Sequence, residues 1–298
     1  MELINHNANE KELKAIQVQA GKERDKELLE AALAKEKALI ELEEAEKFYR
    51  KALKIAEDIG YIKGLAIALN NLGILLKQRG ELEEAEKLYR QAFAIREEMG
   101  DKAGISSSIL NIGMILKLRG EIIEAEKLYR KALAIREELG DKSGIAFASN
   151  NIGNLLRDRG ELEEAEKLYR KALAIREELG KKSEMAVCYS NIGTLLIQRG
   201  ELEEAEKLYN QALAIDEKLG DKEGITSSYD KIGIILKLRG ELEEAKKLYR
   251  KALAIREELD NKSGISNTMH NLGCLAMNRV ELDQADMFFA DAFEFRKQ

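Results

Sequence analysis

An asparagine returns every forty residues, at Asn71, Asn111, Asn151, Asn191 and Asn271, and Lys231 takes the remaining place in the series. Three residues further on, the same spacing selects Ile74, Met114, Asn154, Thr194, Ile234 and Cys274. A carboxamide offers both acceptor and donors. A ladder of carboxamides can therefore hold the backbone of an extended peptide without reading its side chains, or brace a neighbouring helix by bonding to its backbone. Cations recur as well: Lys77, Lys117, Arg157 and Lys237 at one place, and Arg79, Arg119, Arg159, Arg199, Arg239 and Arg279 at another. Cations near a helix C-terminus stabilise its dipole by ~0.3–1 kcal/mol without any partner. They also attract carboxylates, which pair well with arginine. The candidate partner-binding residues are Asn71, Asn111, Asn151, Asn154, Asn191, Lys231, Asn271, Lys77, Lys117, Arg157 and Lys237.

Other chemistries find less support. His6 and His270 have no metal-ligand or triad partner nearby in sequence, and Cys188 and Cys274 are isolated thiols without Cys/His spacing. Tyr49, Tyr89, Tyr129, Tyr169, Tyr209 and Tyr249 recur at an apolar position, so they read as packing residues, as do Phe288, Phe289, Phe293 and Phe295. The plentiful acids recur regularly on one helix and read as a solvated face. With neither a phosphate loop nor a nucleophile motif, the expectation is no catalytic residue, no metal and no cofactor.

The elements that must position the ladder follow from the period. Seven copies of one segment, B, start at Glu41, Glu81, Glu121, Glu161, Glu201, Glu241 and Glu281, with six A segments between them. In B, Leu162, Ala165, Leu168, Tyr169, Ala172, Leu173, Ile175 and Leu179 are spaced mostly by three and four, one stripe of an amphipathic helix. Glu163 to Lys167 and Glu166 to Arg170 are i,i+4 pairs worth ~0.2–0.5 kcal/mol each. Segment A presents Ile145, Ala148, Ile152, Leu155 and Leu156, and ends at Arg159-Gly160, where glycine can take the left-handed conformation that closes a helix. Asp141 and Asp221 are placed to cap A helices. Gly73, Gly113, Gly153, Gly193, Gly233 and Gly273 sit mid-helix, at ~1 kcal/mol relative to alanine. Close approach of a neighbouring helix opposite Ala85 or Ala165 is the expected compensation. Each A–B unit is thus a helical hairpin too thin to bury its own stripes, and must stack on its neighbours.

The run N-[IL]-G-x-[LI]-L-x-x-R-G-E-L-E-E-A-E-K-L-Y-x-x-A-[LF]-A-I resembles the tetratricopeptide repeat, through Leu72-Gly73, Gly80, Ala85, Tyr89 and Ala92 and their later copies. The likeness covers about residues 61–298 plus the B helix at 41–60. The usual proline between repeats is absent, and the 40-residue unit is similar to the long-helix subtype of kinesin light chain and LGN/Pins. The resemblance implies an all-α fold, a right-handed superhelical α-solenoid of helix-turn-helix hairpins. It also implies that helices A line a concave inner surface, and that the matching asparagines contact peptide ligands. Within helix A, Leu65, Leu69, Leu72 and Leu76 form the core stripe, so Asn71, with Ile67, Ile74 and Gln78, is rotated about 100° away from it. B must present the same packing surface in every unit; A must both pack and offer a surface to something else, and A is where the copies drift.

Charge divides the same way. The A segments carry a formal +11, the B segments −16 and residues 1–40 −1, together the chain's −6. This balance disfavours nucleic acid and anionic membranes as partners. No apolar run approaches the ~20 residues of a membrane span, and the N-terminus lacks a secretory pattern. A cytoplasmic location is expected. Residues 1–40 read as a helical capping segment and 41–298 as the repeat array. The reading that follows is a non-catalytic module or scaffold binding an extended, acidic segment of a partner protein. Its alternatives are a regulatory or sensor module of a larger signalling protein, Rap-like or fused to an NTPase, and a self-associating rod that dimerises through its uncovered C-terminal helix.

Overall fold

The computed structural model describes residues 42–278 and 282–297. The segment 1–40 lies outside the described residues. Among the described residues there are thirteen helices and no strand. Helix α1 spans 42–58, and is followed by α2 (Ile62–Gln78), α3 (Leu82–Glu98), α4 (Lys102–Leu118) and α5 (Ile122–Glu138). Then come α6 (Lys142–Asp158), α7 (Leu162–Glu178), α8 (Lys182–Arg199) and α9 (Leu202–Leu219). The last four are α10 (Lys222–Leu238), α11 (Leu242–Glu258), α12 (Lys262–Asn278) and α13 (Leu282–Lys297). Even-numbered helices are the A segments and odd-numbered ones the B segments. The chain forms two compact units, Met1–Ile115 and Leu116–Gln298, whose boundary falls inside α4.

Local chemistry sets the helix ends. Asp141 Oδ1 accepts from the Gly144 amide at 3.0 Å and Asp221 Oδ1 from that of Gly224 at 3.0 Å, as the sequence predicts. Asp101 and Asn261 do the same for α4 and α12. At the far end of α6, Gly160 has φ +83°, its amide donates to Arg157 O, and Glu161 N donates to Leu156 O at 2.9 Å. Those two bonds satisfy carbonyls that the helix leaves open. Asp260 takes this conformation without being glycine, at φ +49°.

In the second unit each A helix packs along its following B helix, and α7, α9 and α11 pack on α8, α10 and α12 of the next hairpin. A helices also meet across hairpins: α6 on α8, α8 on α10, α10 on α12. This is the stacking of an α-solenoid. Its core includes Ile152, Leu155 and Leu156 from α6 with Ala165, Tyr169 and Ala172 from α7, all fully buried. Each large side chain so buried contributes ~1.5–3 kcal/mol. The mid-helix glycines do mark a close approach, but against the tyrosine ring and not the alanine. A Cβ on Gly153 would lie 2.8 Å from Tyr169 Cε1, and one on Gly73, in the first unit, 2.7 Å from Tyr89 Cε1. The ring atoms Cδ1, Cε1 and Cζ of Tyr169 stand where that Cβ would be, so the ring claims the space of a side chain. At the last hairpin Phe289 takes the tyrosine's place beneath Gly273, whereas Phe293, read as a packing residue, is exposed.

Candidate functional site

The asparagine series is half-exposed along its whole length, and its members are not used alike. In the first unit Asn111 Nδ2 donates to Asn70 Oδ1 at 2.8 Å, joining α4 to α2. In the second, Asn191 Nδ2 donates to Asn150 Oδ1 at 2.9 Å, joining α8 to α6. These two brace a neighbouring helix, through side chain and not backbone. Asn151 turns back onto its own helix and donates to Phe147 O at 3.0 Å. Asn71, Lys231 and Asn271 make no side-chain hydrogen bond to another described residue.

Asn154 has a task that its spacing from Asn151 does not reveal. Its Oδ1 accepts from Tyr169 OH at 2.7 Å, and one hairpin later Thr194 Oγ1 meets Tyr209 OH at 2.6 Å. Where this place is apolar, at Ile74 and Ile234, the buried hydroxyls of Tyr89 and Tyr249 have no partner among the described residues. Burial holds all four phenols above their ordinary range. The signal was available: a polar residue fifteen positions before a core tyrosine.

The cations divide. Lys77, Lys117, Arg157 and Lys237 lie half-buried in the last turns of A helices. Lys117 Nζ and Arg157 Nη2 converge on one carboxylate, Asp158, at 3.5 and 2.9 Å. The other arginine series turns to the preceding B helix. Arg79 pairs with Glu46, Arg159 with Glu126, Arg199 with Glu166 at 2.5 Å and Arg239 with Glu206 at 2.6 Å. Sequence reading offered the helix dipole for this series; the ion pair across 33 residues is the addition. Arg50, and then Arg79, outweigh burial to hold Glu46 below the usual carboxylate range. Glu166, which burial pushes up, is drawn down by Arg170 and Arg199. Pairs this exposed are worth ~0–1 kcal/mol each.

Beside the amides the A helices expose apolar side chains at one repeating place: Phe147 is 44% and Val187 49% exposed. His270 is exposed, its ring 5.5 Å from that of Phe289 and its Nε2 3.6 Å from Cys274 Sγ. Among the described residues there is no group of three His, Cys, Asp or Glu that could hold a metal ion, and no helix long and apolar enough to cross a membrane.

Sequence reading passed over one buried series, at Arg96, Arg176, Asp216 and Arg256 in the last turns of B helices. Arg256 Nη1 donates to Gly264 O at 3.2 Å, to Thr268 Oγ1 and to Asp230, a buried carboxylate at the place of Asn70 and Asn150. Burial raises Asp230 above the usual range even though Arg256 opposes the shift. The signal was one aspartate at a place given to arginine at Arg96, Arg136, Arg176 and Arg256, inside the half of the repeat that barely varies.

A family model described as Tetratricopeptide repeat matches residues 36–98, 105–178, 144–218 and 224–298. No curated protein matches the chain in sequence. Among solved structures, BtubC (BKLC) from P. vanneervenii is 23% identical with a TM-score of 0.65, over 74% of this chain and 92% of that one. Aspartyl phosphate phosphatase F from Bacillus subtilis is 17% identical with a TM-score of 0.71, over 95% of this chain and 74% of that one. The Signal Transduction ATPase with Numerous Domains protein with a tetratricopeptide repeat sensor, from Pyrococcus horikoshii, is 17% identical with a TM-score of 0.68, over 91% of this chain and 44% of that one. At these identities the likeness is one of fold.

Proposed function

This chain belongs to the tetratricopeptide repeat family, and from that premise we propose that it is a non-catalytic interaction module whose A helices bind an extended, acidic segment of a partner protein. One observation carries the reading: the A-helix row from Asn71 to Asn271 stays half-exposed in every repeat, next to exposed Phe147 and Val187. On the B helices, glutamates are instead taken up in glutamate–arginine pairs that recur from repeat to repeat. Three members of the row, Asn71, Lys231 and Asn271, keep their polar groups for a visitor, and Lys77 and Lys237 add positive charge. Asn111 and Asn191 hold the spacing of adjacent A helices, so they position the row more than they contact the ligand.

The test uses labelled peptides of about a dozen residues, rich in Asp and Glu, and measures fluorescence anisotropy. Lys77→Glu combined with Lys237→Glu is expected to weaken binding tenfold or more while helicity is retained, and added salt should weaken binding to the parent chain. Equal binding by parent and variant would reject the reading. A second reading, a sensor module of a larger signalling protein, draws on the likeness to the Pyrococcus horikoshii protein, of which this chain spans under half. It predicts that peptide binding alters the activity of an attached effector domain.

A further inference from the structure

Arginines at the ends of B helices meet a recurring set of acceptors at fixed distances along the chain. Arg96 Nη1 donates to Gly104 O at 3.1 Å and Ser108 Oγ at 2.7 Å. Arg176 Nη1 donates to Glu184 O at 3.2 Å and Cys188 Sγ at 2.8 Å. Arg256 Nη1 reaches Gly264 O and Thr268 Oγ1. Arg136 Nη1 adds the carboxylate that caps the next helix, Asp141. The acceptors thus lie five, eight and twelve residues beyond the arginine, and the guanidinium ties one hairpin to the next.

At the junction of α9 with α10 the acceptors remain and the donor is gone. Five, eight and twelve residues after Asp216 come Asp221, Gly224 and Ser228. Asp216 is 5% exposed and Ser228 1%. The Asp216 carboxylate lies over Gly224, where a Cβ would meet its Oδ2 at 2.5 Å, much as Arg256 Cδ lies over Gly264 at 2.7 Å. Ser228 Oγ has no hydrogen-bond partner among the described residues, where Ser108 and Thr268 accept from a guanidinium. Asp216 has no ion pair there either. Burial, and then the charge of Asp221, push Asp216 up to about 6. Asp216 also sits in the last turn of α9, where the helix dipole favours a cation.

We propose that this junction binds a small, hard cation in the place that the guanidinium of Arg96, Arg136, Arg176 or Arg256 fills at its own junction, held by Asp216, Asp221, the Gly224 carbonyl and Ser228 Oγ. An all-oxygen set with two carboxylates suits Ca²⁺: it matches the charge, and Ca²⁺ tolerates irregular coordination that Mg²⁺ does not. The bound ion would tie α10 to α9 as Arg256 ties α12 to α11.

The experiment follows hydrogen exchange across residues 202–238 of the full chain, stripped with chelator at pH 7.5, in millimolar CaCl₂, in MgCl₂ and in NaCl of matched ionic strength. Ca²⁺ is expected to slow exchange several-fold beyond either control. Asp216→Asn should abolish the Ca²⁺ effect, Ser228→Ala should weaken it while circular dichroism stays unchanged, and Asp216→Arg should show the slowed exchange with no metal added. The proposal is overturned if Ca²⁺ gives no more protection than the controls, or protects Asp216→Asn equally. Protection that appears only on acidification to pH 5 would overturn it too, because a proton alone would then satisfy the site.

Discussion

The junction of α11 with α12 and that of α9 with α10 use matching positions, and at one of these the charge is reversed, Arg256 against Asp216. At the first, a buried guanidinium spans two carbonyl and hydroxyl acceptors and neutralises Asp230. At the second, Asp216 feels the charge of Asp221, and the buried Ser228 Oγ has no partner among the described residues. The surrounding packing is retained in both, with Gly233 and Gly193 seated on Tyr249 and Tyr209 alike. Stacking in this chain therefore tolerates a charge reversal at a junction, because apolar contacts supply most of the cohesion and the buried ion supplies local rigidity.

Removing the guanidinium is the harshest test of that contrast. Arg256→Ala leaves Asp230 buried and unpaired, so a loss of ~3–5 kcal/mol is expected, read as lost hydrogen-exchange protection in α11 and α12. Asp216→Ala, at the matching place, should be neutral or stabilising. Equal losses at the two sites would erase the distinction.

A smaller effect concerns pH. Asp216 binds its proton more tightly folded, at about 6, than unfolded, near the ordinary carboxylate value of 3.8. A raised carboxyl contributes its stability below the unfolded value and loses it as pH rises through the folded value. With metal chelated, the α9–α10 junction should weaken by ~1–3 kcal/mol between pH 4 and 7. Asp216→Asn should flatten that part of the profile; a parent profile equally flat would remove the junction's special status.

The smallest effect repeats the comparison inside the hairpins. Tyr169 OH has Asn154, whereas Tyr249 OH, with Ile234 at the matching place, has no partner among the described residues. Ile234→Thr should raise stability by ~1 kcal/mol by supplying an acceptor, measured as a higher Tm. Asn154→Ala should lower it by a similar amount.

Much of the fold was legible because it depends on neighbours in sequence. The three-and-four spacing of Leu162, Ala165 and Tyr169, the caps at Asp141 and Asp221 and the stop at Gly160 all act within one helix or one turn. The candidate site was legible only as a row. That Asn111 and Asn191 lock to Asn70 and Asn150, 41 residues earlier, depends on how two A helices meet.

By itself, the sequence determined the all-α class, the forty-residue hairpin and the sides of each helix that face the core, since periodicity and composition settle these within one repeat. Only the tertiary structure decided which polar groups are already engaged. It assigned Asn154 to Tyr169, Lys117 and Arg157 to Asp158, and Arg256 to Asp230, and left Asp216 without a cation. Those pairings join residues 15 to 41 positions apart or set two neighbours toward one charge. Their geometry exists only once helices have packed and water has been excluded between them.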